Sequence, residues 1–139
     1  MKSEVKKHGT GCLVAQGVDI FGDRWTLLII RDMLLYGKKT YGEFLGAGEC
    51  ISTNILAVRL KHLEAEGIIE KRRDPENGRS FVYNLTDKGL ALAPVVFEII
   101  RWSGKHAAAS DVKRTMLRRI EKDRDGFMAE ITARVKAQR

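Results

Sequence analysis

Residues 51–85 read ISTNILAVRLKHLEAEGIIEKRRDPENGRSFVYNL, and the fold follows from how this stretch must divide. Ile51 precedes Ser52 and Leu56 follows four residues later, the spacing of a hydrophobic staple closed over an N-cap, so a helix is expected from Ser52. Leu56, Leu60 and Leu63 recur at helical spacing. At about 100° per residue the opposite face carries Asn54, Ala57, Val58, Lys61 and Ala65, which is one amide, one ammonium and small side chains. So slim a face suits a helix whose backbone must approach a groove. Gly67 stands where a glycine past the last turn would end the helix, and two β-rich runs follow, 68–73 and 80–85. Between them, Asp74-Pro75-Glu76-Asn77-Gly78 has the residues of a hairpin tip. Either piece alone would read as an ordinary helix or hairpin with solvated charge. Together, with Lys71, Arg72, Arg73 and Arg79 around the turn, they read as the recognition helix (52–66) and wing (71–81) of a winged helix-turn-helix.

Upstream, Thr40 and Glu43 form a capping box that opens a short helix through Leu45, and Gly46-Ala47-Gly48 turns the chain toward Ser52. Before it, Asp23 can cap a helix that is apolar nearly all round, from Trp25 to Leu35, and that stops at Gly37. This is the expected core helix. A shorter one over 12–21, with Leu13, Val14, Val18, Ile20 and Phe21, ends at Gly22. Residues 1–11 read as a loose arm whose Lys2, Lys6 and Lys7 are either solvated or close to phosphate.

Downstream, Thr86 and Asp87 start a helix containing Leu90, Leu92, Val95, Val96, Phe97, Ile99, Ile100 and Trp102, with Pro94 as a kink or a restart. That is more apolar surface than a small winged domain covers by itself. Ser110 is expected to cap a last helix with the stripe Val112, Met116, Ile120, Phe127, Ile131 and Val135, and with Gly126 as its weak point. The stripe is expected outside the domain core, covered either by a dimer partner or by folding back. The fold class is therefore mainly α with a small β-hairpin. It divides into the arm at 1–11, the winged helix-turn-helix domain at 12–109 with its first and post-wing helices for dimerisation, and an accessory amphipathic helix at 110–139.

At 139 residues and 44% hydrophobic the chain suffices for one compact core. A net charge of +7 and a pI near 9.6 favour an anionic partner. Within 52–85 basic and acidic residues nearly balance, so placement decides: Glu64 and Glu66 lie at the far end of the helix, while basic residues crowd the wing. No apolar run is long enough to span a bilayer and the first residues lack a signal-peptide core, so a cytoplasmic protein without membrane contact is expected. Cys12 and Cys50 are too few for a disulfide framework and read as thiols. GAGECI (46–51) lacks the third glycine of a dinucleotide fingerprint and follows a helix, not a strand. His8, His62 and His106 are scattered, without metal-ligand spacing, and each reads as a surface residue. No cofactor, metal or catalytic site is expected, which leaves binding as the function class.

GCLVAQGVDIFGDRWTLLIIRDML, TYGEFLGAGECISTNILAVRLKHLEAEGII and FVYNLTDKGLALAPVVFEIIRWS, in that order, resemble the HxlR family of bacterial winged-helix regulators over about residues 12–105. The matching positions are Cys12; Gly22, Arg24 and Trp25; Ile51, Ser52, Leu56, Arg59 and Leu60; and Leu85, Thr86 and Gly89. Leu13 stands where the family commonly has proline, and Asp23 interrupts its usual glycine pair. The resemblance implies a homodimeric transcription factor whose dimer is built from the first and post-wing helices.

On this reading the partner is double-stranded DNA. Asn54 is placed to read an adenine edge and Lys61 a guanine or a phosphate, with Ala57 and Val58 on the same face. Ser52 and Thr53 offer hydroxyls and helix N-terminal amides to phosphate. Arg59 flanks the face and is expected either to reach phosphate or to pair within the chain with Glu66 or Glu43. Arg72, Arg73, Asn77 and Arg79 are the wing candidates. A two-fold dimer would place two recognition helices about 34 Å apart, or a multiple of that, on a near-palindromic operator. The rival reading is a winged-helix module that binds protein through the slim face and Val58. A small aromatic effector would fit a space between Trp25 and Trp102. Cys12 is either an oxidant-sensing thiol, activated by the helix N-terminus and the upstream Lys6, Lys7 and His8, or a small buried apolar residue; Cys50 poses the same choice.

Overall fold

In the computed structural model, which describes residues 11–107, 109 and 112–139, the chain runs α1 (Leu13–Phe21), α2 (Arg24–Leu35), α3 (Tyr41–Leu45), α4 (Thr53–Ala65), β1 (Ile69–Arg73), β2 (Phe81–Leu85), α5 (Asp87–Leu90), α6 (Ala93–His106) and α7 (Thr115–Ala137). The expectations placed on Lys2, Lys6, Lys7, His8 and Ser110 lie outside the described residues. Helix α2 is central, with Ile29, Ile30, Met33, Leu34 and Leu35 buried and α4, α6, α7 and β2 packed around it. Each such side chain contributes about 1.5–3 kcal/mol of transfer free energy.

The local signals operate as anticipated. Asp23 Oδ2 accepts from Thr26 N at 3.0 Å and starts α2. Thr40 and Glu43 close the capping box of α3. Ser52 Oγ accepts from Ile55 N at 3.2 Å and starts α4, which buries Leu56, Leu60 and Leu63. At its end Gly67 takes a φ of +73°. Ile68 N then bonds to Leu63 O, and Gly67 N to Glu64 O, both at 3.0 Å. That paired closure needs the left-handed residue that glycine supplies.

The hairpin pairs Ile69 with Leu85 through to Arg73 with Phe81. Its tip is wider than a two-residue Asn-Gly reversal. Two successive turns, Asn77 N to Asp74 O at 3.3 Å and Ser80 N to Asn77 O at 2.9 Å, are closed by Asp74 N to Ser80 O at 2.9 Å. The inner edge of β2 is taken by Lys39 and Thr40, through Tyr83 N to Lys39 O at 2.8 Å and a bridge from Thr40 to Val82. β1 is thus the outer strand, exposed after Ile69.

Of the two alternatives at Pro94 the restart is the one observed: the post-wing run is two helices, with Pro94 in the first turn of α6, where a missing N–H costs nothing. Three expectations are corrected. The last helix begins at Thr115, behind Arg114 at its N-cap and without a side-chain cap. Its weak point is Asp123 (φ −158°, ψ 79°), not Gly126. Asp123 Oδ1 accepts from Gly126 N at 3.0 Å and recaps the second half, and a Cβ at 126 would lie 2.1 Å from Asp123 Oδ2. Finally, the stripe from Ile120 onward belongs to the core: Ile120, Phe127, Ile131 and Val135 are buried, with Phe127 stacked on Phe97 at 5.5 Å, while Val112 stays exposed. Of the two coverings open to it, folding back is the one observed. Among the described residues, no helix is long and apolar enough to cross a membrane.

Candidate nucleic-acid interface

The outer face of α4 stands clear of the protein. Asn54, Ala57, Val58 and Lys61 are all exposed, Val58 at 60%. Ser52 is spent on its own helix as the cap, and Tyr41 Oη donates to Thr53 O at 2.8 Å, pinning α3 to the first turn of α4.

The turn between α3 and α4 is held from behind. Arg31, on α2, donates to Glu49 Oε1 at 2.8 Å and Oε2 at 3.0 Å, and to Asp32 Oδ1 through Nε and Nη2. Glu49 lies between Gly48 (φ +91°) and Cys50 (φ +60°), a left-handed conformation unusual for a residue with a side chain. Hydrogen bonding to Arg31 pulls the Glu49 carboxyl below its usual range. Burial holds Asp32 above its own usual value, outweighing Arg31 beside it. The Arg31 guanidinium is raised, by Glu49 first and Asp32 next, against the opposing effect of burial. Neither Arg31 nor Glu49 was singled out from sequence, since eighteen residues and no shared periodicity separate them.

Arg59 resolves differently from expectation. It reaches neither Glu66 nor Glu43; its Nε lies 3.2 Å from Asp23 Oδ2, an ion pair bent outside hydrogen-bond geometry. Asp23, the residue that interrupts the family's glycine pair, thus caps α2 and also ties it to α4. His62, expected at the surface, is half-buried, with Nε2 2.7 Å from Ile20 O, and joins α4 to α1.

On the wing, Lys71 Nζ sits 4.2 Å from the Phe81 ring centroid, and Arg73 lies 5.1 Å from the same ring while Nη1 donates to Gly78 O at 2.6 Å. Asn77 is used within the tip: Nδ2 donates to Ser80 Oγ at 3.2 Å and Oδ1 accepts from Arg79 N at 3.2 Å. The Arg79 side chain is exposed at the tip. Arg72 points elsewhere, its Nη2 donating to Gln138 O at 2.5 Å.

Both thiols are exposed, which corrects the reading of Cys12 and Cys50 as buried apolar residues. Cys12 occupies the N-cap of α1. No cavity given by the described residues is lined by both Trp25 and Trp102. A cavity of about 250 Å³ lies instead between α2, α6 and the start of α7, lined by Leu35, Tyr36, Ile99, Ile100, Met116 and Leu117 among others, and neither tryptophan lines it. No cluster among the described residues could hold a metal ion.

A recognition-type helix with an open polar face, a locked turn before it and a basic hairpin after it form a surface shaped for duplex DNA. The profile of the HxlR-like helix-turn-helix family matches residues 20–111. The uncharacterized HTH-type transcriptional regulator YvaP of Bacillus subtilis is 41% identical over 88 residues, which are 63% of this chain and 81% of that one. The transcriptional regulator YodB of the same organism is 37% identical over 92 residues, 66% of this chain and 81% of YodB. Solved YodB structures include a reduced form, with a TM-score of 0.56, 31% identity, and coverage of 72% of this chain and 98% of YodB. Another is of the diamide-treated protein. The crystal structure of PA1607 superposes with a TM-score of 0.67 at 36% identity, covering 76% of this chain and 72% of PA1607. An open α4 face beside a basic wing is the equipment of a regulator and not of an enzyme, and with the profile spanning the whole of that unit the chain belongs to the HxlR-like family of DNA-binding transcriptional regulators.

Proposed function

We propose that this protein is a homodimeric, sequence-specific regulator that reads a near-palindromic operator from the cytoplasm, with α4 in the major groove and the wing tip on flanking phosphates. The observation that carries the proposal is the open face of α4. Asn54 and Lys61 make no hydrogen bond or ion pair among the described residues, although the helix bearing them is capped, locked at its turn and packed on α2. Asn54 fits an adenine edge and Lys61 a guanine or phosphate, while Ala57 and Val58 let the backbone come close and present methyl groups to thymine. Thr53 is left to offer its hydroxyl to phosphate. Arg79, Arg73 and Lys71 supply the cationic tip, with Asn77 shaping it and not reading DNA itself. Arg59 serves as the strut to Asp23.

Two exposed apolar faces support the dimer: Leu13 (82%), Val14 (74%) and Val18 on α1, and Ile99 and Trp102 (62%) on α6. Faces of this kind mark association surfaces. Selection of bound sequences from random duplexes tests specificity, palindromy and half-site spacing at once; enrichment of unrelated sequences, or affinity insensitive to salt, counts against the proposal.

Thiol oxidation is the proposed input. Cys12 and Cys50 are exposed, one at the N-cap of α1 beside the apolar face and the other in the strained turn before α4. That YodB has been solved both reduced and after diamide treatment supports an oxidant effector. DNA titration with and without diamide on the native chain, Cys12→Ser and Cys50→Ser tests it: protection by one substitution identifies the switch, and unchanged native affinity refutes it.

A further inference from the structure

We infer that the C-terminal end of α7, with its cap Gln138 and the following Arg139, is a brace that positions the wing, and that Arg72 is the wing's anchor to that end and not a contact to DNA. As a statement about DNA binding this rests on the wing reading above. The physical need is plain: a two-stranded hairpin is marginal in water, and this one is supported along only one edge. On that edge Lys39 and Thr40 bond to β2. On its edge away from β2, β1 has no neighbouring strand among the described residues, and after Ile69 none of its side chains is buried.

The missing support comes from 66 residues away. Arg72, opposite Val82 in the register and two residues before the tip at Asp74, donates from Nη2 to Gln138 O at 2.5 Å. At the hairpin base Arg139 Nη2 donates to Leu85 O at 3.2 Å and to Asp87 Oδ1 at 2.8 Å. One turn earlier, Arg134 Nη2 donates to Met33 O at 3.1 Å and also to Leu34 O, anchoring the same stretch to the end of α2. Ile131 and Val135 are buried beneath. α7 therefore grips β1 near its tip, β2 at its base, and the core helix that also holds the turn before α4. The angle between wing and recognition helix is set through it. α7 lies beyond residue 111, where the family match ends, so the brace comes from outside the matched region.

The test uses the full chain with Arg72→Gln, Arg139→Gln and the double variant. Amide hydrogen exchange is read over 69–85 in the free protein, and affinity and salt slope on a selected operator. Arg139 is engaged at the hairpin base, away from the tip, which makes it the informative partner. Either single substitution should speed exchange in the wing by about five- to tenfold, the scale of one net hydrogen bond, and weaken operator binding to a similar degree. The double variant should be little worse than the more damaging single, because both act through one device. If Arg72→Gln leaves exchange unchanged and lowers the salt slope by about one while Arg139→Gln is silent, Arg72 is a phosphate contact and the brace is overturned. Faster exchange with unaltered DNA affinity overturns the positioning role. Failure of the native chain to bind any duplex refutes the DNA reading separately, and exchange in the free protein still decides whether α7 holds the wing.

Discussion

Glu49→Gln isolates the lock behind the helix-turn-helix. Glu49 accepts two hydrogen bonds from Arg31, and the two side chains keep 30% and 23% of their surface exposed. A bidentate charge-assisted pair in so half-screened a place is worth about 1–2 kcal/mol. Glutamine keeps the shape and one acceptor, and Asp32 still neutralises Arg31, so the expected loss is about 1 kcal/mol at neutral pH. For a chain of this size that is a fall of about 3–5 °C in Tm, or a few tenths of a molar in the urea midpoint. The sign with pH follows from the shifts. Glu49 is held below its usual pKa, so its contribution is present above the unfolded-state value and is lost as pH falls through the lowered folded value. Asp32, raised by burial, runs the other way: its contribution is present below its unfolded value and lost as pH rises through the raised folded one. Urea unfolding of native and Glu49→Gln chains in parallel cancels Asp32 to first order. Their difference should be constant from pH 7 to about 5 and shrink below about pH 4. A difference under about 0.3 kcal/mol at pH 7, small against any net hydrogen bond, or one that persists undiminished into acid, refutes the lock.

Asp23→Ala removes the α2 cap and the Arg59 pair together and should cost about 1–2 kcal/mol in chemical denaturation. Gly89→Ala should be worse than an ordinary helix substitution and reduce soluble yield, because the new Cβ would stand 2.3 Å from Ile68 O, within the backbone contact that joins wing and α5. Phe127→Ala should cost about 3 kcal/mol by removing the stacked partner of Phe97, and calorimetry should show whether α7 then melts ahead of the rest. On DNA, Asn54→Ala should relax preference at one base pair by about 1–3 kcal/mol. Arg79→Ala should weaken all sequences alike and lower the salt slope by about one, both read by titration of point-substituted operators.

What could be read along the chain was whatever neighbouring residues decide among themselves. Asp23, Thr40 with Glu43, Ser52 and Gly67 mark helix ends, because a cap bonds to amides two or three residues away. Leu56, Leu60 and Leu63 mark the buried side of α4, and so its open one, because a helix repeats every 3.6 residues. What tertiary structure alone decided was the partner of each long side chain. Arg59 could be placed beside the open face of α4 but not assigned to Asp23, thirty-six positions upstream. Along the chain Arg72 is one of several wing cations; its acceptor, Gln138 O, lies 66 positions away. The stripe of α7 was plain, yet the pattern is the same whether a second subunit or its own domain covers it, and the burial of Ile120, Ile131 and Val135 with the stacking of Phe127 on Phe97 distinguishes them. A guanidinium at the end of a flexible side chain is indifferent to sequence separation. It pairs with the acceptor that the packed helices bring within reach, and that proximity exists only once the core around α2 has formed.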